Sequence, residues 1–166
     1  MSDLLWDDVR EFFDPDLMGT LPDVWVADAS VEDWQAVLDL AASSGWRCEY
    51  REGDVAMAVP PAERVLSRAA DAECPSLRVW PVPEVLAIFR FLSDDAIDFD
   101  VDLREVQGQE RLDVLCGLFS AIGRRLGKAV LMSVEGGRHP VLRFDVTADR
   151  VVLTAARGCR AVGSKQ

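Results

Sequence analysis

The clearest pattern in the chain is a strict alternation of apolar and acidic residues over 97–103. Successive side chains of a β-strand point to opposite faces, so this alternation predicts a strand with one buried face and one aspartate face. The apolar face would hold Ile97, Phe99, Val101 and Leu103, and the aspartate face Asp98, Asp100 and Asp102.

Two amphipathic helices are predicted, over 31–44 and over 109–126. Each has apolar residues spaced three and four positions apart, which places them on one helical face. Each is also followed by a glycine, Gly45 or Gly127, which is typical of the residue that ends a helix in the left-handed conformation.

Alternating and β-branched segments predict further strands, and two shorter apolar patterns predict helices over 3–13 and 61–72. Because proline cannot donate to a sheet ladder, Pro81 and Pro83 predict that the strand over 77–80 is an edge or a crossover. The remaining predicted strands span 23–27, 46–52, 55–59, 85–91, 129–134, 141–145 and 150–155.

Short connections between strands favour an α+β fold with a mainly antiparallel sheet and two principal helices packed on one face. The order helix, glycine, strand, turn, strand occurs at 31–59 and again at 109–145, which raises the hypothesis of two αββ units. We predict a single globular domain over 1–156 and a short, basic, flexible tail over 157–166.

The four cysteines form no CxxC pair, and the chain has one histidine, so the sequence favours free thiols over a zinc site. No apolar run approaches the roughly 20 residues that cross a bilayer, and the acidic start does not resemble a signal peptide. We therefore expect a cytoplasmic protein without a membrane partner.

The net charge of −11 is concentrated at the start of the chain. Residues 1–46 contain eleven acidic residues and one basic residue, a net charge of −10, whereas the rest contain 18 acidic and 17 basic residues, a net charge of −1. A negative field repels nucleic acid and attracts basic proteins. The composition therefore predicts a basic protein partner and no nucleic acid.

The aspartate face also allows an enzymatic hypothesis. Adjacent aspartates on one strand face lie about 7 Å apart, which lets Asp98 and Asp100 reach one divalent cation. The Asp-x-Asp pattern is similar to that of polymerase-like nucleotidyltransferases, but the Gly-Ser turn that holds a triphosphate in those enzymes does not precede it. A metal-dependent enzyme of nucleotide or phosphate chemistry is an alternative, and we assign no catalytic residue, metal ligand or cofactor.

Aromatic residues accompany the acidic start of the chain. Trp6 and Trp25 are expected in the core, but an exposed one, with acids such as Asp7 and Asp8 nearby, would form an anchor for a basic protein. Interfaces concentrate binding energy in such aromatic residues, and complementary charge speeds association.

The strand over 97–103, the helix segment over 112–128 and the strand over 130–135 resemble, as a pattern, small acidic immunity proteins of bacterial polymorphic toxin systems. The resemblance implies a non-enzymatic protein that binds a toxin, often a basic one, and blocks its active site. The leading hypothesis is thus an immunity or antitoxin-type protein that binds a basic partner through Asp98, Asp100, Asp102, Asp7, Asp8, Trp6 and Trp25. A structural or regulatory domain that forms a homodimer through a sheet edge is a further alternative.

Overall fold

A computed structural model describes residues 4–68, 73–137 and 139–154. Within these ranges the chain has an α+β fold with an antiparallel sheet, which confirms the predicted fold class. The helices are α1 Trp6–Val9, α2 Pro15–Met18, α3 Val31–Ser43, α4 Ala62–Leu66 and α5 Gln109–Leu126. The strands are β1 Asp23–Val26, β2 Arg47–Glu52, β3 Val55–Met57, β4 Ser76–Val82, β5 Val85–Arg90, β6 Ile97–Val101, β7 Val130–Ser133, β8 Pro140–Asp145 and β9 Arg150–Leu153.

The described strands form one sheet in the order β3-β2-β4-β5-β6-β1-β7-β8-β9, and every neighbouring pair is antiparallel. The two long helices connect strands that are not neighbours: α3 leads from β1 to β2, and α5 leads from β6 to β7. Strand β1 therefore lies between β6 and β7 and pairs with both.

One face of the sheet forms the hydrophobic core with α3 and α5. Val24 of β1 lies opposite Phe99 of β6 and Met132 of β7, and all three side chains are buried. Phe119 of α5 contacts Phe99 edge to face, with ring centroids 6.0 Å apart. On the α3 side, Trp34 is fully buried and stacks on Phe91, which follows β5, with centroids 4.4 Å apart. Both principal helices thus cover the same face.

The helix that follows β6 was predicted with the observed bounds, because its start, apolar stripe and stop are all local signals. Gly127 adopts a left-handed conformation with φ of 65°, and its N–H bonds to the Gly123 carbonyl. The bounds of α3 also agree, and the Ser30 side chain caps it by accepting from the Asp33 N–H.

The prediction that the strand before Pro81 is an edge or a crossover is wrong, because β4 lies inside the sheet between β2 and β5. The pairing with β2 ends at Trp80, opposite Arg47, so Pro81 has no partner on that side. On the β5 side the register shifts between Val79 and Val82. Proline is tolerated because it lies beyond one ladder and within an irregularity of the other.

The helix predicted over 3–13 is divided in the structure. α1 passes into a 3₁₀ segment, Arg10–Phe13, and α2 then begins separately at Pro15, with Asp14 as its cap. Proline suits the first position of a helix because that N–H has no helical partner.

Several other predictions meet the structure only in part. The helix predicted over 61–72 is shorter as α4, and residues 69–72 lie outside the described ranges, as does the predicted tail over 157–166.

The described cysteines Cys48, Cys74 and Cys116 are free thiols. The proposed αββ units correspond to hairpins β2-β3 and β7-β8 with their preceding helices, and their duplication remains a hypothesis. None of the described helices has the length and apolar character to cross a membrane.

Two glycines of α5 provide a matched test of the packing between helix and sheet. At Gly123 a Cβ atom would overlap the ring of Phe144 of β8, whereas at exposed Gly117 it would meet nothing within 4 Å. We expect Gly123→Ala to lower the free energy of unfolding by about 1–3 kcal/mol through overpacking. Gly117→Ala should raise it by about 0.5–1 kcal/mol through helix propensity. Urea unfolding measures both, and equal effects of the two changes would contradict the packing described.

Candidate functional site

The face of the sheet opposite α3 and α5, hereafter the open face, is built from the residues that alternate with the core. The residues of its two rows named below are half-buried or exposed, whereas the inner-face side chains of the central strands are buried. The strand register aligns two rows across it. One row is Arg51, Ser76, Arg90, Asp98, Trp25, Leu131, Arg143 and Val152, and the other includes Glu49, Arg78, Ile88, Asp100 and Asp23.

Trp25 lies at the middle of the open face and outside the core cluster. In β1 it stands opposite Asp98 of β6 on one side and Leu131 of β7 on the other. The expectation that Trp25 is a core residue is wrong because its neighbours Val24 and Val26 occupy the inner face of the same strand. Its half-buried indole is available as an aromatic contact.

The three aspartates of the strand predicted over 97–103 have different environments. Arg90 of β5 donates from Nε to Asp100 at 2.8 Å, and Arg104 donates to Asp102 at 2.7 Å. Asp98 has no hydrogen bond or ion pair with any residue in the described ranges. The predicted aspartate face is therefore partly neutralised, and one carboxylate is left without a cation.

The pKa values of the aspartates follow from these environments. Burial raises the pKa of Asp98, and the charges of Asp100, Asp23 and Asp95 raise it further. The bond from Arg104 holds the pKa of Asp102 below its ordinary value. Because three neighbouring acids disfavour the charged form of Asp98, this part of the face has a negative electrostatic potential. A cation from a partner would bind favourably there.

Arginines flank this acidic centre on both sides, and they were not predicted as site residues. The Nε atoms of Arg51, Arg78 and Arg143 are buried without a hydrogen-bond partner in the described part of the chain. Arg51 pairs with Glu49 at 3.4 Å, whereas Arg78 has no described ion-pair partner. The signal in the sequence was the alternation of arginine with apolar residues, as in Leu77-Arg78-Val79, which sends the arginine outward.

The N-terminal residues predicted to bind a partner lie elsewhere. Trp6 of α1 donates its backbone N–H to the Gln109 side chain at the start of α5, and its ring packs on Phe13. Asp7 and Asp8 are exposed, and Asp7 forms an ion pair with Arg10.

The structure thus brings Trp25, Asp98 and Asp100 onto neighbouring strands of one surface. Asp102 lies just beyond the end of β6, where its side chain caps a 3₁₀ segment, Leu103–Glu105. Trp6, Asp7 and Asp8 belong instead to α1, which is hydrogen-bonded to the start of α5.

The metal hypothesis remains a prediction, and two observations on the described residues bear on it. They contain no group of three or more histidine, cysteine, aspartate or glutamate side chains arranged to hold a metal ion. Of the two aspartates proposed as ligands, Asp100 forms an ion pair with Arg90.

Comparisons with protein-family models, curated proteins and solved structures found no match. The functional interpretation therefore rests on the geometry of the open face.

The different pKa shifts of Asp98 and Asp102 predict opposite effects of the same substitution. The folded state of the protein holds the Asp98 proton more tightly than the unfolded chain does, so ionised Asp98 lowers stability at neutral pH. Asp98→Asn should raise the melting temperature near pH 7, and this gain should vanish once the pH falls below the ordinary aspartate pKa of about 3.9.

Asp102→Asn should have the reverse effect, because a lowered pKa contributes stability above the ordinary aspartate pKa that is lost in acid. It should lower the melting temperature near pH 7, with the loss fading as the pH falls. Scanning calorimetry at several pH values measures both variants, and because they remove the same charge, shifts of equal sign would contradict the assigned environments.

Proposed function

We propose that this protein is a non-enzymatic binding domain that receives a basic segment of a protein partner on its open face. The observation that supports the proposal most is Asp98, a half-buried carboxylate without a cation, beside the half-buried indole of Trp25. The role is that of the immunity proteins that the sequence resembles, in which case the partner is a toxin.

Trp25 and Asp98 together suit one cationic side chain. Asp98 is already half-buried in the free protein, so part of the free-energy cost of removing its carboxylate from water precedes binding. A lysine or arginine of the partner can therefore form an ion pair with Asp98 at a smaller further desolvation cost. The face of an indole also attracts a cation, and a partly buried tryptophan is a common centre of binding energy.

The arginines of the open face restrict the shape of the partner. A broad basic surface laid across the sheet would bring like charges against Arg78, Arg90 and Arg143, which is unfavourable. A protruding loop or side chain would reach the acidic centre without meeting them. We therefore propose that the partner presents its basic residue on a narrow projection.

Self-association is a second candidate, supported by the edge strand β3. Val55 and Met57 in this strand are 59% and 41% exposed, and an apolar edge strand offers unpaired backbone groups to another chain. Light scattering of the purified protein tests it: a dimer that becomes monomeric in Met57→Lys supports pairing through β3, and a monomer at all concentrations excludes it.

Substitutions on the open face test the leading proposal. Tagged wild-type protein is used to capture partners from the producing cell, and a captured protein is then purified and its affinity measured by calorimetry. We expect Trp25→Ala to weaken binding by about 30-fold or more, as at interface hot spots. Asp98→Asn should weaken binding by about tenfold and reduce its salt dependence.

Glu32→Gln provides the matched control, because Glu32 is an exposed acid on α3, behind the sheet. Its affinity should equal that of the wild type. If Glu32→Gln weakens binding as much as Asp98→Asn does, the attraction reflects only the net charge of the protein and the proposed site is incorrect.

A further inference from the structure

A separate cavity of about 430 Å³ lies on the helix-covered side of the sheet, between α3 and the inner face of β2 and β4. This volume falls within the range of pockets that bind small molecules. Its lining is mainly apolar, and its two polar residues, Gln35 and Asp39, both belong to α3.

The cavity forms because β3 is shorter than its partner. β2 extends from Arg47 to Glu52, but β3 pairs only with the last three residues of it. After Met57 the chain leaves the sheet, and Pro60 and Pro61, which lack N–H donors, cannot continue the ladder. A space therefore remains between Cys48 and the chain that leads to α4.

The polar residues of the cavity lie one turn apart on α3 and are held by hydrogen bonds. Gln35 accepts from the Ala62 N–H at 2.8 Å and donates to the Asp39 carboxylate at 3.1 Å. Asp39 is exposed, and no cation of the described chain forms an ion pair with it. The cavity thus combines an apolar interior with one fixed, unneutralised carboxylate.

We propose that this cavity binds a small apolar amine, with its hydrophobic body against Leu38, Ala42 and Pro61 and its ammonium group on Asp39. Charge complementarity selects the amine, because an apolar anion would be repelled by Asp39 and a neutral molecule would gain no ionic contact. The proposal is independent of the open face, because Cys48 and Leu77 line the cavity from the opposite side of the sheet.

Two probes of similar shape test the charge requirement. Calorimetry with 1-naphthylmethylamine and with neutral 1-naphthylmethanol should show tighter binding of the amine. Asp39→Asn should weaken binding of the amine by roughly threefold, as for an exposed ion pair, and leave the alcohol unchanged. Equal affinities for both probes, unaffected by Asp39→Asn, would overturn the proposal, as would the absence of binding.

Two helix variants and one chemical readout locate the bound probe. Ala42 is exposed at the cavity, so Ala42→Trp should fill it without disturbing the core and should abolish binding of the amine. Ser43→Trp places the same side chain at the next, exposed position outside the lining and should leave binding unchanged.

The amine should also slow alkylation of Cys48 but not of exposed Cys74. Binding that survives in Ala42→Trp, or that leaves the alkylation of Cys48 unchanged, would place the amine elsewhere and refute the proposed site.

Discussion

The pairing of β1 with both β6 and β7 is the constraint on which the sheet depends. Five strands lie on one side of β1 and three on the other, and no other described strand connects the two groups. β1 has only four residues, and its alternation must serve both faces at once. Val24 and Val26 fill the core beneath α3 and α5, and Asp23 and Trp25 point outward. The strand that joins the two groups of strands is also the centre of the open face.

This arrangement holds the proposed binding residues on a rigid part of the sheet. Trp25 and Asp98 stand on paired strands inside a nine-stranded sheet, and their backbones are fixed by ladders on both sides. Groups held on such elements lose little freedom when a partner binds. The charges are ordered as well, because Arg90 holds Asp100 and leaves Asp98 as the acceptor. The order of the strands, rather than the amount of acidic charge, sets the chemistry of the surface.

Much of the fold was predictable where the determining signals are local. The bounds of α5 follow from its apolar spacing and Gly127, and the two faces of β6 follow from alternation. The same local reasoning failed at β4, where Pro81 indicated an edge. The rule is sound, but the strand accommodates proline at the end of one ladder, and that end depends on how far β2 extends.

The candidate site was predicted only in part, because its composition depends on which strands are neighbours. Asp98, Asp100 and Trp25 were identified from the sequence, but the partner of Asp100 is on β5 and the contacts of Trp25 are on β6 and β7. Net charge by segment also grouped Trp6, Asp7 and Asp8 with this surface. The net charge of a segment gives no information on which residues are brought together by folding. These three residues lie on α1, beside the start of α5.

The position of β1 in the sheet also limits the order in which the strands can pair during synthesis. β1 precedes both of its partners in the chain, and the second of them, β7, follows α5. Until β7 has emerged, the apolar side of β1 cannot be enclosed on both flanks, and long-range strand pairing of this kind is slow. β1 therefore has neither of its strand partners while residues 27–96 are being synthesised, and its apolar side chains Val24 and Val26 have to be protected from aggregation during that interval.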